Sequence, residues 1–181
     1  MKSLKDAGIH PRTVSRAVQD GIIEKIKPGL YRLPEKKPDA HSSYYVIHWA
    51  IPSAIIALTS AAVYHELTTA NPSEIFIAVP QNKSKIRLDY PPVRIFYFPE
   101  TYYKTGMVSV KTPRGRFRIY TPEKTICDLF RYRRKLGESI AIEALRTYAS
   151  RRSRDLNKLM TFARRCKVEK IISPILKGLI G

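Results

Sequence analysis

The spacing of apolar and polar residues predicts a short amphipathic helix near the start of the chain. Pro11 suits the first position of a helix that runs to Asp20, and Gly21 ends it. Apolar residues group on one side of this helix, and polar residues lie within about 60° of one another on the other side. The apolar set is Val14, Ala17 and Val18, and the polar set is Arg12, Arg16 and Gln19, with Thr13 adjoining Arg12.

The residues after this helix have the pattern of a β-hairpin. Two short strands, Ile22–Lys27 and Leu30–Leu33, flank a Pro-Gly turn. The positive residues near the tip are Lys25, Lys27 and Arg32. A helix followed by a basic hairpin is the order found in a winged helix-turn-helix, in which the helix enters a DNA groove and the wing contacts phosphates. An amphipathic surface helix and hairpin with no role in DNA binding would show the same faces.

This N-terminal unit, residues 1–36, is expected to be a partial winged helix-turn-helix. Lys2–Ala7 is one further helix candidate, ended by Gly8. A complete winged helix-turn-helix places another helix before the segment at which this chain opens. The proline-bounded stretch Pro34–Pro38 is expected to link this unit to a second domain over residues 41–181.

Beyond the linker the pattern runs from helices to strands and back to helices, which predicts an α+β domain with one sheet. The first predicted helices are Ser42–Ala50 and Ser53–Glu66. The predicted strands are Glu74–Val79, Val93–Phe98, Met107–Val110 and Arg116–Tyr120. The C-terminal helices are expected near Pro122–Leu136, Glu138–Ser150, Asp155–Arg165 and Val168–Leu179.

Residues 41–65 contain no Lys, Arg, Asp or Glu, so this run has to be tested as a membrane span. Pro52 divides it into two pieces that are each too short to cross a bilayer. Two packed helices in the core of the second domain are therefore the preferred interpretation.

The net charge of +18 predicts an anionic partner, either nucleic acid or an acidic membrane surface. Residues 1–40 contribute +4 of it and residues 101–181 contribute +14. The C-terminal clusters include Arg151, Arg152 and Arg154, which we expect to flank DNA or to add a second region of phosphate contact. The two cysteines, Cys127 and Cys166, are expected to be buried free thiols in the reducing cytoplasm.

Four charged residues share one face of the helix predicted from Pro122, at three- and four-residue spacing: Lys124, Asp128, Arg131 and Lys135. One interpretation is an exposed ladder of ion pairs, each worth a few tenths of a kcal/mol. The other is a functional surface whose basic members contact nucleic acid or a toxin, with Asp128 orienting them. On either interpretation the buried stripe behind this face is Ile126, Leu129 and Phe130.

The residue requirements of common enzyme classes are not met. The chain has no acidic pair of the Asp-x-Asp or Asp-x-Glu type for Mg²⁺, no glycine-rich phosphate loop and no motif for a serine or cysteine nucleophile. His65 could act as a general base, but a histidine at the end of a helix is more typically a packing residue. We therefore expect a protein without catalytic activity, cofactor or metal.

Three stretches of the second domain, together with Gly8–Leu33, carry a family resemblance. They are Leu58–Thr68, Tyr120–Gly137 and Ala141–Pro174, and the most specific is the Lys-Thr-x-x-Asp-x-Phe-Arg-x-Arg-x-Lys-x-Gly string that begins at Lys124. In matching order they resemble the AbiEi family of antitoxins and transcriptional regulators from bacterial abortive-infection operons. These are toxin–antitoxin systems of type IV that act in phage defence.

The resemblance implies a two-domain autorepressor whose winged helix-turn-helix binds repeats in its own promoter. It also implies that the second domain counteracts a nucleotidyltransferase-type toxin, without a stable complex being required. The recognition helix would be Pro11–Asp20 and the wing Lys25–Arg32, and the family's Lys-Thr and Asp positions fall on Lys124, Thr125 and Asp128. The alternative function is a protein-interaction or RNA-binding module of the same operon that has lost specific operator binding.

Overall fold

The computed structural model describes residues 8–34, 41–113 and 115–180. The predicted N-terminal helix is present as α1, Pro11–Gln19, and the hairpin as β1, Glu24–Lys27, and β2, Leu30–Arg32. The His10 ring caps α1 by accepting a hydrogen bond from the Arg12 amide at 3.2 Å. The helix candidate Lys2–Ala7 and nearly all of the predicted linker lie outside the described residues.

The second part of the chain is built on a five-stranded mixed sheet, which confirms the predicted α+β class. Its strands are β3, Ile55–Ile56, β4, Ile75–Pro80, β5, Val93–Phe98, β6, Met107–Thr112, and β7, Gly115–Tyr120. They lie in the order β5-β4-β3-β7-β6. The pairs β4/β5 and β3/β7 are parallel, whereas β3/β4 and β6/β7 are antiparallel.

The helices cover both faces of this sheet. Those before β6 are α2, Ser42–Ala50, α3, Leu58–Tyr64, and α4, Glu100–Tyr103. Those after β7 are α5, Pro122–Arg131, α6, Arg133–Leu136, α7, Glu138–Ser150, α8, Leu156–Arg165, and α9, Glu169–Ile180. The C-terminal helices, apart from α6, bury one core that contains Phe98 and Tyr120, and α2 buries a second that contains Phe117 and Ile119. Among the described residues no helix is long and apolar enough to cross a membrane.

The prediction of a helix over Ser53–Glu66 is wrong in its first half. Ile55 and Ile56 form β3 between β4 and β7, and only the segment from Leu58 is helical. Both isoleucines are buried because one points into each core. A short strand with two covered faces is apolar throughout, so its residues lack the alternation that would have distinguished it from a buried helix.

The predicted helix Pro122–Leu136 is interrupted. It divides at Tyr132 into α5 and the single turn α6. Eight consecutive residues of α5, from Glu123 to Phe130, are buried, because this helix packs against α3, α7, α8 and α9. A helix surrounded on all sides has no solvent face for charged residues.

Candidate nucleic-acid interface

The exposed face of α1 carries the residues predicted to read DNA. Arg12, Thr13, Arg16 and Gln19 are all exposed, whereas Val14 is buried on the opposite side. Arg16 lies 3.8 Å from Asp20, with 84% of the arginine side chain exposed. An ion pair of that length and exposure contributes little energy, so the guanidinium can exchange Asp20 for another partner.

The wing contributes less free charge than its sequence suggested. Lys27 donates a hydrogen bond from Nζ to the Ala50 carbonyl at 2.6 Å, and Arg32 pairs with Glu24 at 2.6 Å. The Arg32 guanidinium also lies 5.2 Å from the Tyr90 ring centroid. Lys27 and Arg32 therefore hold the wing in place, and Lys25 is the predicted wing residue left fully exposed.

The wing is docked on the second part of the chain through its apolar side. Ile26 of β1 is 2% exposed and belongs to the same buried cluster as Tyr45 and Ile47 of α2. Leu30 of β2 packs against that cluster from the edge. The hairpin is thus fixed relative to α2, a contact that the sequence alone did not indicate.

Lys124 and Asp128 do not lie on a surface, so neither the expected exposed ladder nor the expected functional face includes them. Both side chains are 0% exposed, and Lys124 Nζ donates to Asp128 Oδ2 at 2.5 Å. The ammonium also lies 4.4 Å from the Tyr120 ring centroid and 5.1 Å from that of Phe98. Burial raises the pKa of Asp128, and the neighbouring Lys124 and Arg131 oppose that rise. The pair is part of the core.

The other two residues of that predicted face are separated by their surroundings. The Arg131 guanidinium lies 3.6 Å from the Tyr102 ring centroid and is partly buried. Lys135 is exposed and lines a shallow cavity of about 240 Å³ together with Arg94. Of the four residues, Lys135 alone is fully accessible to a partner.

The arginine cluster after α7 is also divided between two roles. Arg151 donates from Nη2 to the carbonyls of His65 and Glu66 at 2.6 and 2.8 Å, which ties α7 to the end of α3. Arg152 and Arg154 are exposed, and Arg154 donates to the Arg151 carbonyl at 3.2 Å. Arg152 and Arg154 are therefore the members able to contact phosphates.

His65 lies at the end of α3, where a packing role was expected. Its Nε2 lies 2.7 Å from the Tyr120 carbonyl oxygen, and burial lowers its pKa. Within the described ranges, no group of three or more His, Cys, Asp or Glu residues could hold a metal ion. Cys127 and Cys166 are free and buried, as predicted.

One basic pocket was missed by the sequence reasoning. His48 and Pro52, near the end of α2, face Ser109 of β6 and the alternate residues Arg116 and Arg118 of β7 across a cavity of about 320 Å³. The only available signal was the spacing of two arginines in a strand, which places them on one face. That the end of α2 lies opposite them depends on the tertiary fold.

The N-terminal residues match a known family. Residues 2–34 match the family described as transcriptional regulator, AbiEi antitoxin. This match confirms the resemblance over α1 and the wing, and it does not extend into the sheet or the C-terminal helices. No curated protein matches the chain.

Proposed function

We propose that this chain, whose residues 2–34 match the AbiEi family, is a DNA-binding antitoxin and transcriptional autorepressor. The observation that carries the proposal is the exposed polar face of α1 within the matched segment. Its members Arg12, Thr13, Arg16 and Gln19 lie opposite the buried Val14, so the helix can present all four outward at once.

The side chains on this face suit the edges of base pairs. An arginine can donate two hydrogen bonds to guanine O6 and N7, and a glutamine can pair with adenine N6 and N7. Arg16 and Gln19 are the residues to which we assign these contacts. Arg12 and Thr13, in the first turn of α1, would contact phosphates, because a helix N-terminus favours anions.

Phosphate contacts would supply much of the affinity and none of the sequence discrimination. Lys25 on the wing is exposed, and Arg152 and Arg154 add positive charge on the C-terminal part. We assign non-specific attraction to these residues, in keeping with the net charge of +18.

A mobility-shift titration with the DNA upstream of the gene tests operator binding. The proposal predicts tighter binding to that DNA than to random duplex of equal length at the same salt concentration. Equal affinity for the two duplexes would contradict it.

The antitoxin half of the proposal rests on the family resemblance. We propose that the chain counteracts a nucleotidyltransferase-type toxin, without a stable complex being required. Co-expression with an adjacent nucleotidyltransferase gene tests this, and restored growth is the expected result. Continued growth arrest with both proteins present in soluble form would contradict it.

A second candidate function is an interaction or RNA-binding module that has lost specific operator binding. The internal contacts of Lys27 and Arg32 favour it, since they reduce the charge that the wing offers to DNA. Trp49, which is 58% exposed, lines an apolar groove with Ile26 and Leu30 beside the wing. Equal binding to both duplexes, with toxin neutralisation retained, would favour this function over repression.

A further inference from the structure

The basic pocket formed by His48, Ser109, Arg116 and Arg118 has no residue of α1 or of the wing among its described lining residues, so the reading of an operator by α1 does not account for it. Ser109 and Arg118 are directly paired across the antiparallel strands β6 and β7, so their side chains project from the same face of the hairpin. The end of α2 closes the opposite side. Arg116 donates from Nε to His48 Nε2 at 3.2 Å, which links the helix to the strand.

The pocket carries positive charge. Among the described residues that line it there are two arginines and no Asp or Glu. The Tyr103 hydroxyl lies beside the Arg118 guanidinium and donates to the Ser53 carbonyl at 2.6 Å, which holds the arginine near the end of α2. Glu100, on the helix that carries Tyr103, is paired with Lys104 at 2.6 Å. Neither guanidinium of the pocket is paired with a carboxylate of the residues that the structure describes.

Two nitrogen atoms of the pocket are buried and have no hydrogen-bond partner among the described residues. They are Arg118 Nε and His48 Nδ1. Burial and the two nearby arginines lower the pKa of His48, which favours the neutral ring. Because His48 Nε2 accepts from Arg116, the ring hydrogen is on Nδ1, so His48 Nδ1 and Arg118 Nε are both hydrogen-bond donors. Buried donors are normally satisfied, so each calls for an acceptor.

We propose that this pocket binds a phosphate group, with Arg116 and Arg118 as the charged donors and the Ser109 hydroxyl beside them. Guanidiniums match the spacing of phosphate oxygens and form charge-assisted hydrogen bonds with them. Of the described lining residues, His48 alone has an aromatic ring on which a nucleobase could stack, so the recognised part is the phosphate and not the base. The phosphate can belong to a nucleic-acid backbone or to a free ion, and the proposal holds whether or not α1 reads an operator.

Arginine side-chain NMR on the full chain tests the proposal, with inorganic phosphate as the probe. The Nε–H signals of Arg116 and Arg118 are assigned by their loss in Arg116→Gln and Arg118→Gln. A saturable shift of the Arg118 signal is expected, and each substitution should weaken phosphate binding by about tenfold, the effect of losing one charge-assisted hydrogen bond. Arg116 is exposed, so its variant keeps the test valid if the Arg118 variant does not fold.

Lys111→Gln is the matched control. Lys111 is exposed, pairs with Arg116 across β6 and β7, and does not line the pocket, so it removes the same charge from the same hairpin. Because Lys111 lies beside Arg116 without lining the pocket, Lys111→Gln removes long-range attraction but no direct hydrogen bond, and it should weaken phosphate binding clearly less than Arg116→Gln does. An equal loss in Lys111→Gln and Arg116→Gln, or a linear shift without saturation, would show an adventitious ion only and would overturn the proposal.

Random duplex DNA, added to the phosphate-saturated protein, identifies the source of the phosphate. If DNA displaces free phosphate from the Arg118 signal in the wild type, the pocket binds a backbone phosphate. If the phosphate-bound signal persists while DNA is bound elsewhere, the pocket binds free phosphate. Either result supports a phosphate site, and neither depends on an operator being present.

Discussion

Removing one partner of the buried Lys124–Asp128 pair should destabilise the protein far more than removing both. In Lys124→Met the Asp128 carboxylate would remain 0% exposed without the ammonium that now donates to Oδ2. Leaving one member of a buried ion pair uncompensated costs about 3–5 kcal/mol. The double variant Lys124→Met/Asp128→Leu removes both charges of the pair, so it should regain most of that loss.

Urea denaturation monitored by circular dichroism measures these differences. The single variants should lower the free energy of unfolding by about 3–5 kcal/mol and the double variant by less, so that the double-mutant cycle gives a large coupling energy. Additive losses would refute the description of Lys124 and Asp128 as one paired unit.

The pH dependence provides a second check on the same pair. In Lys124→Met the folded-state pKa of Asp128 should lie above its unfolded value, because burial raises it and the ammonium no longer opposes the rise. A raised acid pKa gives stability that is present at low pH and lost as pH rises through the folded-state pKa. The loss in free energy of unfolding caused by Lys124→Met should therefore become smaller as pH falls. A loss that does not change with pH would contradict the burial of the Asp128 carboxylate.

Three further predictions concern packing, two glycines with positive φ and a surface carboxylate. Ile26→Ala should lower the free energy of unfolding by about 2–4 kcal/mol if the wing is docked, since Ile26 is 2% exposed, and an unchanged urea midpoint would contradict docking. Gly106→Ala should destabilise the protein far more than Gly29→Ala. Both glycines have positive φ, but a Cβ at Gly106 would lie 2.7 Å from Lys124 Cβ, whereas Gly29 faces open space. Equal decreases in the thermal unfolding midpoint of the two variants would contradict this prediction. Glu143→Gln should cost less than about 1 kcal/mol at pH 7. Hydrogen bonds from Thr68 and Thr69 lower the pKa of Glu143, so this stability is lost as pH falls, and the two proteins should converge in acid.

Local sequence signals were sufficient to predict the elements whose boundaries depend on capping and periodicity. The predicted bounds of α2 and α7 match the structure, and α1 ends one residue earlier than expected. Residues within or next to α1 determine where the helix begins, at Pro11, and where it ends, before Gly21. They also determine which of its faces is buried. Such signals act within a few turns, so they can be recognised in one sequence.

The features that the sequence did not indicate depend on distant contacts. β3 is a strand because β4 and β7 pair with it on both sides, and nothing within Ile55–Ile56 distinguishes that from a buried helix. Lys124 and Asp128 have the same four-residue spacing as an exposed pair, and only the helices around α5 make them part of the core. The docking of Ile26 and the basic pocket between α2 and β7 likewise require the tertiary fold.

Paired substitutions on α1 and at a distant basic residue test most directly whether α1 reads DNA. Arg16 and Arg152 are both exposed arginines, so Arg16→Ala and Arg152→Ala remove the same charge from different surfaces. The measurement is the ratio of affinities for the upstream promoter DNA and for random duplex, at one fixed salt concentration. Arg16→Ala should reduce this ratio by about 10-fold or more, the value of one bidentate base contact, while Arg152→Ala should weaken both affinities and leave the ratio unchanged. A ratio that is the same in Arg16→Ala and in the wild type would contradict base reading by Arg16 on α1.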